Sequence, residues 1–216
     1  MENNMSKIYL VRHAESIANT QGIYQGVTYD TDLSALGKKQ AEALAKIFQN
    51  IKIDTILASP LKRTYDTAQS VGKLKKTQVL QETAIIETNH GEWEGKHKHM
   101  IRKTWPKLYK KWQKFPSSVH FPGGEDFLDT QKRVLKWWQE LCQNHVTDML
   151  VVSHVNIIQI IIANILNTKL NRIWKFPMQP TAVSHIEVSY GLAKLLKLND
   201  ASHLGNLQVN LTDHAL

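Results

Sequence analysis

The chain has 216 residues, 42% hydrophobic and 21% charged, which is typical of a globular protein with one core and is short for two. A single cysteine, Cys142, excludes an internal disulfide, and no basic start followed by a long apolar run opens the sequence, so we expect a cytoplasmic protein without a signal peptide. The net charge is +8, and the window 96–114 alone contains seven lysines, Arg102 and no acid, so the remainder is close to neutral.

The first predicted elements are a strand, a helix and a second strand. IYLV, residues 8–11, is a short apolar run that predicts a buried strand. Ser34 is placed to cap a helix through residues 38–50, where apolar residues recur at helical spacing. DTILA, residues 54–58, predicts the second strand.

A helix is predicted directly after this second strand. Ser59 is placed as its N-cap and Pro60 in its first turn, where the missing N–H does no harm. This helix carries Arg63 and ends near Gly72, and a short strand is expected at 77–81.

The basic window falls in a predicted helix, residues 97–115. Four aromatic residues are spaced by four, three and three, so they form one stripe: Trp105, Tyr109, Trp112 and Phe115. Two interpretations of the basic window stay open. It attracts an acidic partner, such as nucleic acid, anionic lipid or a phosphorylated substrate, or it is a solvated helix face.

The last third continues the alternation of strands and helices. A longer helix follows FPGGED, a buried strand is expected at 148–153, and a hairpin at a sheet edge is expected at 182–189 and 193–199. The apolar run 149–166 is broken by polar residues throughout, which favours a buried strand and helix over a membrane span. The pattern predicts a three-layer α/β/α fold with a mainly parallel central sheet.

Cationic or titratable residues follow three of the predicted strands. Arg12 and His13 follow the first strand, Arg63 the second and His154 the third. Ligands bind outside the carboxyl ends of the strands in open α/β sheets, so we expect these four side chains at one rim. Arginine offers planar, bidentate donors to phosphate oxygens. The sequence therefore predicts a pocket for a phosphoryl group.

Cleavage of a phosphate ester also needs a proton donor for the leaving alkoxide. Glu87 is the candidate, while Glu92 and Glu94 compete with it on composition alone. A neutral imidazole is a fair nucleophile near pH 7, and fixed cations stabilise the charge of the transition state. This scheme requires no metal and no other cofactor.

Six blocks in sequence order now resemble one family, the histidine phosphatase superfamily, also called phosphoglycerate mutase-like. The matching blocks are LVRHAESIAN, QGVTYDTDLSALGKKQAEALA, ASPLKRTYDTAQ, ETNHGEWEG, FPGGEDFLDTQKRV and VVSHVNII. The resemblance implies a phosphoglycerate mutase-like fold in a single domain, residues 1–216, with a helical lid at about 92–122. It is closer to the broad-specificity phosphatases, because mutases usually carry Glu-Arg-His-Tyr-Gly where this chain has ETNHG.

The resemblance also implies a role for each matching residue. His13 would be the nucleophile, which forms a phosphohistidine, and Glu87 the proton donor, with His154 as the third catalytic residue. The implied substrate-binding residues are Arg12, Ser16, Asn19, Gln25, Gly26, Arg63 and, through its backbone N–H, Val155. The expected partner is a small phosphorylated substrate.

Three positions depart from the family pattern. Ala14 stands where the family has Gly after the first His, Val155 stands where the family often has Gly after the second His, and Asp126 stands where Ser is usual. We expect a modest change from Ala14, a narrower pocket from Val155, and repulsion of an anion if Asp126 points inward.

Other functions are weighed beside hydrolysis. Mutase-type phosphoryl transfer is the first alternative. A nucleic-acid-binding protein would use the basic window with Trp105, Tyr109 and Trp112 as stacking groups, and a metalloprotein would use HKH at 97–99; we expect neither. A homodimer is possible, because the tryptophans suit either a core or an interface.

Overall fold

A mixed β-sheet organises the protein in the computed structural model, which describes residues 5–144 and 147–211. The strands in these ranges are β1 (Met5–Arg12), β2 (Thr55–Ala58), β3 (Val79–Gln81), β4 (Met149–Ser153), β5 (Val183–Ser189) and β6 (Leu192–Asp200). Their order across the sheet is β3-β2-β4-β1-β5-β6. The first four are mutually parallel, whereas β5 runs antiparallel to β1 and β6 antiparallel to β5.

The register of the parallel strands brings their carboxyl ends to one level. Arg12 at the end of β1 lies opposite Ser153 at the end of β4. Ala58 at the end of β2 lies opposite Val152 of β4. Residues that follow these three strands therefore meet at one edge of the sheet.

Helices cover both faces of the sheet. They are α1 (Ile17–Thr20), α2 (Ala35–Phe48), α3 (Lys62–Lys75), α4 (Lys98–Thr104), α5 (Pro106–Lys114), α6 (Phe127–Asn144) and α7 (Val155–Ile165). Short 3₁₀ helices lie at Thr83–Ile85, Gly91–Trp93, Pro116–Ser118, Leu170–Lys175 and Ser202–Leu207. Side chains of β1 alternate between two cores: Ile8 and Leu10 share one with residues of α6 and α7, and Tyr9 packs with residues of α2 and α3. The predicted three-layer α/β/α fold is confirmed.

Of the two N-caps predicted in the first half of the chain, one is present in the structure and the other is not. Ser34 caps α2 as predicted, since its hydroxyl accepts a hydrogen bond from the Gly37 N–H. The prediction for Ser59 and Pro60 was wrong: α3 begins at Lys62, and Leu61 is the N-cap without a side-chain bond. The Ser59 hydroxyl is instead 2.8 Å from Nε2 of His154, so it is used at the edge of the sheet.

The basic window forms two helices where one was predicted. The break is at Trp105, whose backbone angles are φ −125° and ψ 59°, and Pro106 then opens α5. A proline disfavours helical angles at the residue before it, which explains the break. Tyr109 and Trp112 are buried as the aromatic stripe predicted, but Phe115 is 56% exposed.

The apolar run 149–166 forms β4 and α7, as the sequence interpretation expected. Within the described ranges, no helix has both the length and the apolar character needed to cross a membrane. The C-terminal hairpin of β5 and β6 lies at the sheet edge, again as predicted.

Candidate active site

His13 directly follows β1 and is almost completely buried, at 4% exposure. Its backbone N–H donates to the carbonyl of Ser153, 2.9 Å away, which extends the β1–β4 ladder by one bond. Its ring Nδ1 lies 2.7 Å from the carbonyl oxygen of Ala14 and donates to it. A neutral imidazole that is protonated on Nδ1 carries its lone pair on Nε2. Local backbone geometry thus fixes which nitrogen can act as a nucleophile.

His154 directly follows β4 and lies beside His13. The two ring centroids are 5.4 Å apart. Burial lowers the pKa of His154 well below its ordinary value, and the nearby charge of Arg63 and the His13 ring lower it further. His154 is therefore a neutral imidazole at neutral pH, held by the Ser59 hydroxyl.

Two buried guanidinium groups supply the positive charge of the site. Arg12 donates from Nη1 to the carbonyl of Met178, 2.6 Å away. Arg63, in the first turn of α3, donates from Nη1 to Asp30 Oδ1 at 2.6 Å and from Nη2 to the carbonyl of Gly26 at 3.1 Å. Burial lowers the pKa of Arg12 to about 10, so the group stays charged at neutral pH.

Glu87 is the acid at the site, and the other two candidates lie elsewhere. Its carboxyl is buried, and burial raises its pKa to about 7 although the Thr88 N–H and Arg63 oppose the shift. A carboxyl with this pKa is still partly protonated at neutral pH and can donate a proton. Glu92 is exposed, and the Glu94 carboxylate is occupied by hydrogen bonds to backbone N–H groups.

One small pocket brings most of the predicted residues together. Its lining residues are Arg12, His13, Asn19, Ile23, Gln25, Arg63 and Glu87. His154 does not line this pocket but contacts the His13 ring from the side. The pocket combines an imidazole whose Nε2 carries a lone pair, two cations and a carboxyl with a raised pKa, a set of groups that can bind and cleave a phosphate ester.

Three other predicted residues have structural contacts at the edge of this pocket. Ser16 caps α1, where its N–H donates to Asn19 Oδ1 at 3.0 Å and its hydroxyl accepts from the Asn19 N–H at 3.2 Å. Gly26 contributes its carbonyl to Arg63. Val155 lines a neighbouring cavity, which also reaches Arg12.

The positions that depart from the family pattern do not obstruct the pocket. Ala14 is buried, and its side chain packs in a small cluster with Leu33 and Ala41. Its backbone does not have the positive φ that would demand glycine. Asp126 is exposed, and its carboxylate lies 3.3 Å from Nδ1 of His120, so it does not point inward.

Sequence reasoning missed several residues that hold the site in place. They are Asp30, Ser59, Thr67, His90 and Glu94. Thr67 accepts the Ala14 N–H at 3.0 Å, and buried His90 donates from Nδ1 to the carbonyl of Gln25 at 2.6 Å. Each makes a long-range contact that no local pattern predicts. The one signal that could have found them is that all five lie inside the blocks quoted for the resemblance.

Glu94 ties the 26–29 turn to the acid block. Its carboxylate accepts hydrogen bonds from the N–H groups of Val27, Thr28 and Tyr29 and from that of His90. Burial acts to raise its pKa, but hydrogen bonds from the Thr28 hydroxyl and from the N–H groups of Val27, Thr28 and Tyr29 prevail and hold the pKa below its ordinary value. A Cβ at Gly26 would lie 1.9 Å from Glu94 Oε1, so this close approach requires glycine.

Replacing Glu94 by alanine would leave these four backbone donors without an acceptor. We expect Glu94→Ala to lower the free energy of unfolding by about 3 kcal/mol, measured by thermal and urea denaturation. Glu92→Ala is the matched control, because this exposed carboxylate lies two residues away, and its effect should stay within about 0.5 kcal/mol. Equal stability of the two variants would contradict the role of Glu94.

The two histidines of the HKH segment, which a metalloprotein would use as ligands, lie on the surface. His97 and His99 stack with ring centroids 5.4 Å apart on an exposed surface. Among the residues that the structure describes, no group of three or more His, Cys, Asp or Glu side chains is arranged to hold a metal ion.

Comparison with known proteins agrees with the geometry. The profile of the Histidine phosphatase superfamily (branch 1) matches residues 8–201. Phosphoserine phosphatase 1 of Hydrogenobacter thermophilus is 37% identical over 206 residues, 95% of this chain and 97% of that protein. Adenosylcobalamin/alpha-ribazole phosphatase of Escherichia coli is 28% identical over 194 residues, 89% of this chain and 95% of that protein.

A solved structure extends the likeness to three dimensions. The structure of Bacillus stearothermophilus YhfR superposes with a TM-score of 0.87 at 28% identity, covering 92% of this chain and 99% of that one. The blocks singled out in the sequence therefore lie on a shared fold. The chain belongs to the histidine phosphatase superfamily, branch 1, and is a phosphomonoester hydrolase.

Proposed function

We propose that this enzyme cleaves small phosphate monoesters in two displacements on His13. In the first, Nε2 of His13 bonds to phosphorus as the bond to the alcohol oxygen breaks, and Glu87 gives its proton to that oxygen. In the second, water attacks the phosphohistidine, Glu87 takes a proton from the water, and the P–N bond breaks to release inorganic phosphate. Each step uses a positioned nucleophile.

One observation carries this proposal: a single small pocket is lined by His13, Glu87 and the two buried arginines. The fixed proton on Nδ1 supports Nε2 as the attacking atom, and the raised pKa of Glu87 supports its role as acid. Arg12 and Arg63 would hold the phosphoryl oxygens, with Asn19 and Gln25 on the remaining wall. His154 would support His13 as a neutral neighbour.

The names of the relatives suggest the first substrates to test. We propose phosphoserine and alpha-ribazole phosphate as the leading candidates among small monoesters. The first assay measures release of inorganic phosphate from a panel of phosphomonoesters. In the second, enzyme that has reacted with radiolabelled substrate is quenched rapidly in acid or in alkali, and the label left on the protein is counted. Phosphate release with an alkali-stable, acid-labile label on the protein supports the proposal. Transfer of the phosphoryl group from one substrate molecule to another, without net release of inorganic phosphate, would favour the mutase alternative instead.

The basic window offers a long-range contribution to substrate capture. Six of its seven lysines are exposed, and none lines the pocket. We expect reversal of charge at Lys103, Lys107 and Lys111 to raise KM for substrates that carry a second negative group besides the phosphate. The rise should be about threefold to tenfold at low salt and small at high salt.

The matched control for this prediction reverses three exposed lysines of α2, Lys38, Lys39 and Lys46, which changes the net charge equally. Steady-state kinetics at two ionic strengths checks both variants. An unchanged KM in the first variant, or an equal rise in the second, would mean that the window is a solvated helix face.

Two of the three aromatic side chains that a nucleic-acid-binding protein would use to stack on bases are buried. Tyr109 and Trp112 are buried in the larger core, where their ring faces contact protein. Trp93, Trp137 and Trp138 are also buried within this one chain. The formation of a homodimer stays a prediction, to be tested by light scattering.

A further inference from the structure

The outer face of α5 carries a row of lysines. Its members are spaced by three, one and three residues, so they project from one side of the helix, and all four are exposed: Lys107, Lys110, Lys111 and Lys114. The other side of α5 packs into the larger core through Tyr109 and Trp112. Like charges three and four residues apart on a helix destabilise it. The lysine row is therefore a cost to the fold that an anionic partner would remove.

The charge of the lysine row is not balanced by the protein itself. No carboxylate of the described residues lies within 4.0 Å of an ammonium group of the row. Elsewhere exposed lysines do form such pairs, as Lys62 does with Asp66 at 2.9 Å. The basic window around the row contains no acidic residue. The positive charge of this face is left for the surroundings to balance.

The 3₁₀ helix Leu170–Lys175 adds positive charge beside the end of α5. The Trp174 ring packs against that of Trp112 with centroids 4.8 Å apart, and its N–H donates to the Trp112 carbonyl at 3.1 Å. The Ser117 N–H, just beyond α5, donates to the side chain of Asn171 at 3.0 Å. Three more exposed cations lie on or next to this short helix, again without a carboxylate of the described residues within 4.0 Å: Lys169, Arg172 and Lys175. Two basic segments that are far apart in the sequence thus adjoin on the surface.

An exposed aromatic ring lies at the end of the lysine row. Phe115 directly follows the row and is 56% exposed. Aromatic side chains are favoured at the level of lipid head groups, where the ring reaches apolar chains while neighbouring lysines stay at the phosphates. A single-stranded nucleic acid would instead need a series of exposed rings, and Tyr109 and Trp112 face the core. An exposed ring beside a row of lysines therefore fits an anionic bilayer better than a nucleic acid.

We propose that this face of the protein docks onto anionic lipid bilayers, with the lysine row and the cations at 169–175 on the head groups and Phe115 inserted between them. The attraction is electrostatic and apolar, so binding is reversible and weakens with salt. The inference does not depend on the reaction and leaves the choice of substrate open. Without lipid the row is solvated, so the KM measurement on the basic window, which contains no lipid, tests a separate property.

The first test is cosedimentation with vesicles of phosphatidylcholine, alone or with about a third phosphatidylglycerol. We expect the enzyme to bind the anionic vesicles at least about tenfold more tightly at low salt, and to lose this preference at high salt. Each basic residue at an anionic surface strengthens binding about fivefold, so the double variant Lys110→Gln/Lys114→Gln should bind about 25-fold more weakly. Lys38→Gln/Lys39→Gln removes the same charge from exposed positions of α2 and is the matched control, which should bind like the wild type.

The second test changes the ring and keeps the charge. We expect Phe115→Ser to weaken binding to the anionic vesicles about tenfold, because the ring no longer enters the apolar layer. Circular dichroism checks that each variant is folded, and all the substituted side chains are exposed. Equal binding to both kinds of vesicle, equal affinities of the two double variants, or wild-type affinity in Phe115→Ser would overturn the inference. Tighter binding to a single-stranded oligonucleotide than to the anionic vesicles would overturn it in favour of nucleic acid.

Discussion

Replacing His13 by alanine is expected to lower kcat by at least about 10⁴-fold for every phosphomonoester that the enzyme cleaves. The reason is that Nε2 of His13 is the only group we place to bond to phosphorus, so both displacements lose their nucleophile. Phosphate release under saturating substrate measures the loss. The fold should survive, because the backbone N–H of His13 keeps its hydrogen bond to the Ser153 carbonyl whatever side chain stands at this position.

The phosphoenzyme gives an independent readout of the same prediction. Radiolabelled substrate should leave an alkali-stable, acid-labile label on the wild-type enzyme and none on His13→Ala. His120→Ala is the matched control, because this exposed imidazole lies beside Asp126 and should change neither rate nor label. A variant His13→Ala that keeps wild-type labelling would remove the basis of the mechanism.

Replacing Glu87 by glutamine is expected to lower kcat about 10²- to 10⁴-fold for alkyl phosphates, whose alkoxide needs a proton to leave. The loss should be much smaller for p-nitrophenyl phosphate, because its phenolate leaves without one. Comparison of the two substrates under stopped-flow and steady-state conditions separates the loss of an acid from a general distortion of the site. Glu92→Gln, an exposed change in the same block, serves as control.

The dependence of kcat/KM on pH gives a second test of the role of Glu87 as the acid. Because burial raises the pKa of Glu87 to about 7, the protonated acid becomes scarce as pH rises through that value. We expect kcat/KM for alkyl phosphates to fall above about pH 7 in the wild-type enzyme, and this limb to be absent in Glu87→Gln. Persistence of the alkaline limb in the variant would assign it to another group.

Much of the site could be predicted from the sequence because its charged and titratable residues lie at the ends of strands. Arg12 ends β1, and His13 and His154 directly follow β1 and β4; the apolar runs of these strands are unambiguous, and parallel strands force their ends together. Glu87 could be chosen over Glu92 and Glu94 only through the resemblance, since burial separates the three and burial is not a local property.

The errors have equally physical causes. Ser59 has the residue type of an N-cap, but its hydroxyl faces His154, a partner 95 positions away, so the helix starts later. The split of the basic window follows from Pro106, which a search for periodic aromatics overlooks. The cavity beside the phosphate pocket could not have been predicted, because its walls come from Arg12, α7, the 174–178 segment and Leu211, which are joined only by folding.

The buried carboxyl of Glu87 also makes the stability of the fold depend on pH. Glu87 titrates near its ordinary 4.5 in an unfolded chain and at about 7 in the native one, so the native protein retains a proton that the unfolded chain has lost at intermediate pH. Stability therefore declines as pH rises from about 4.5 to 7, by roughly 3 kcal/mol from this group alone, and is lowest with respect to it under alkaline conditions. Unfolding near neutrality thus releases hydrogen ions, and the enzyme is most robust in mildly acidic surroundings as far as this carboxyl is concerned.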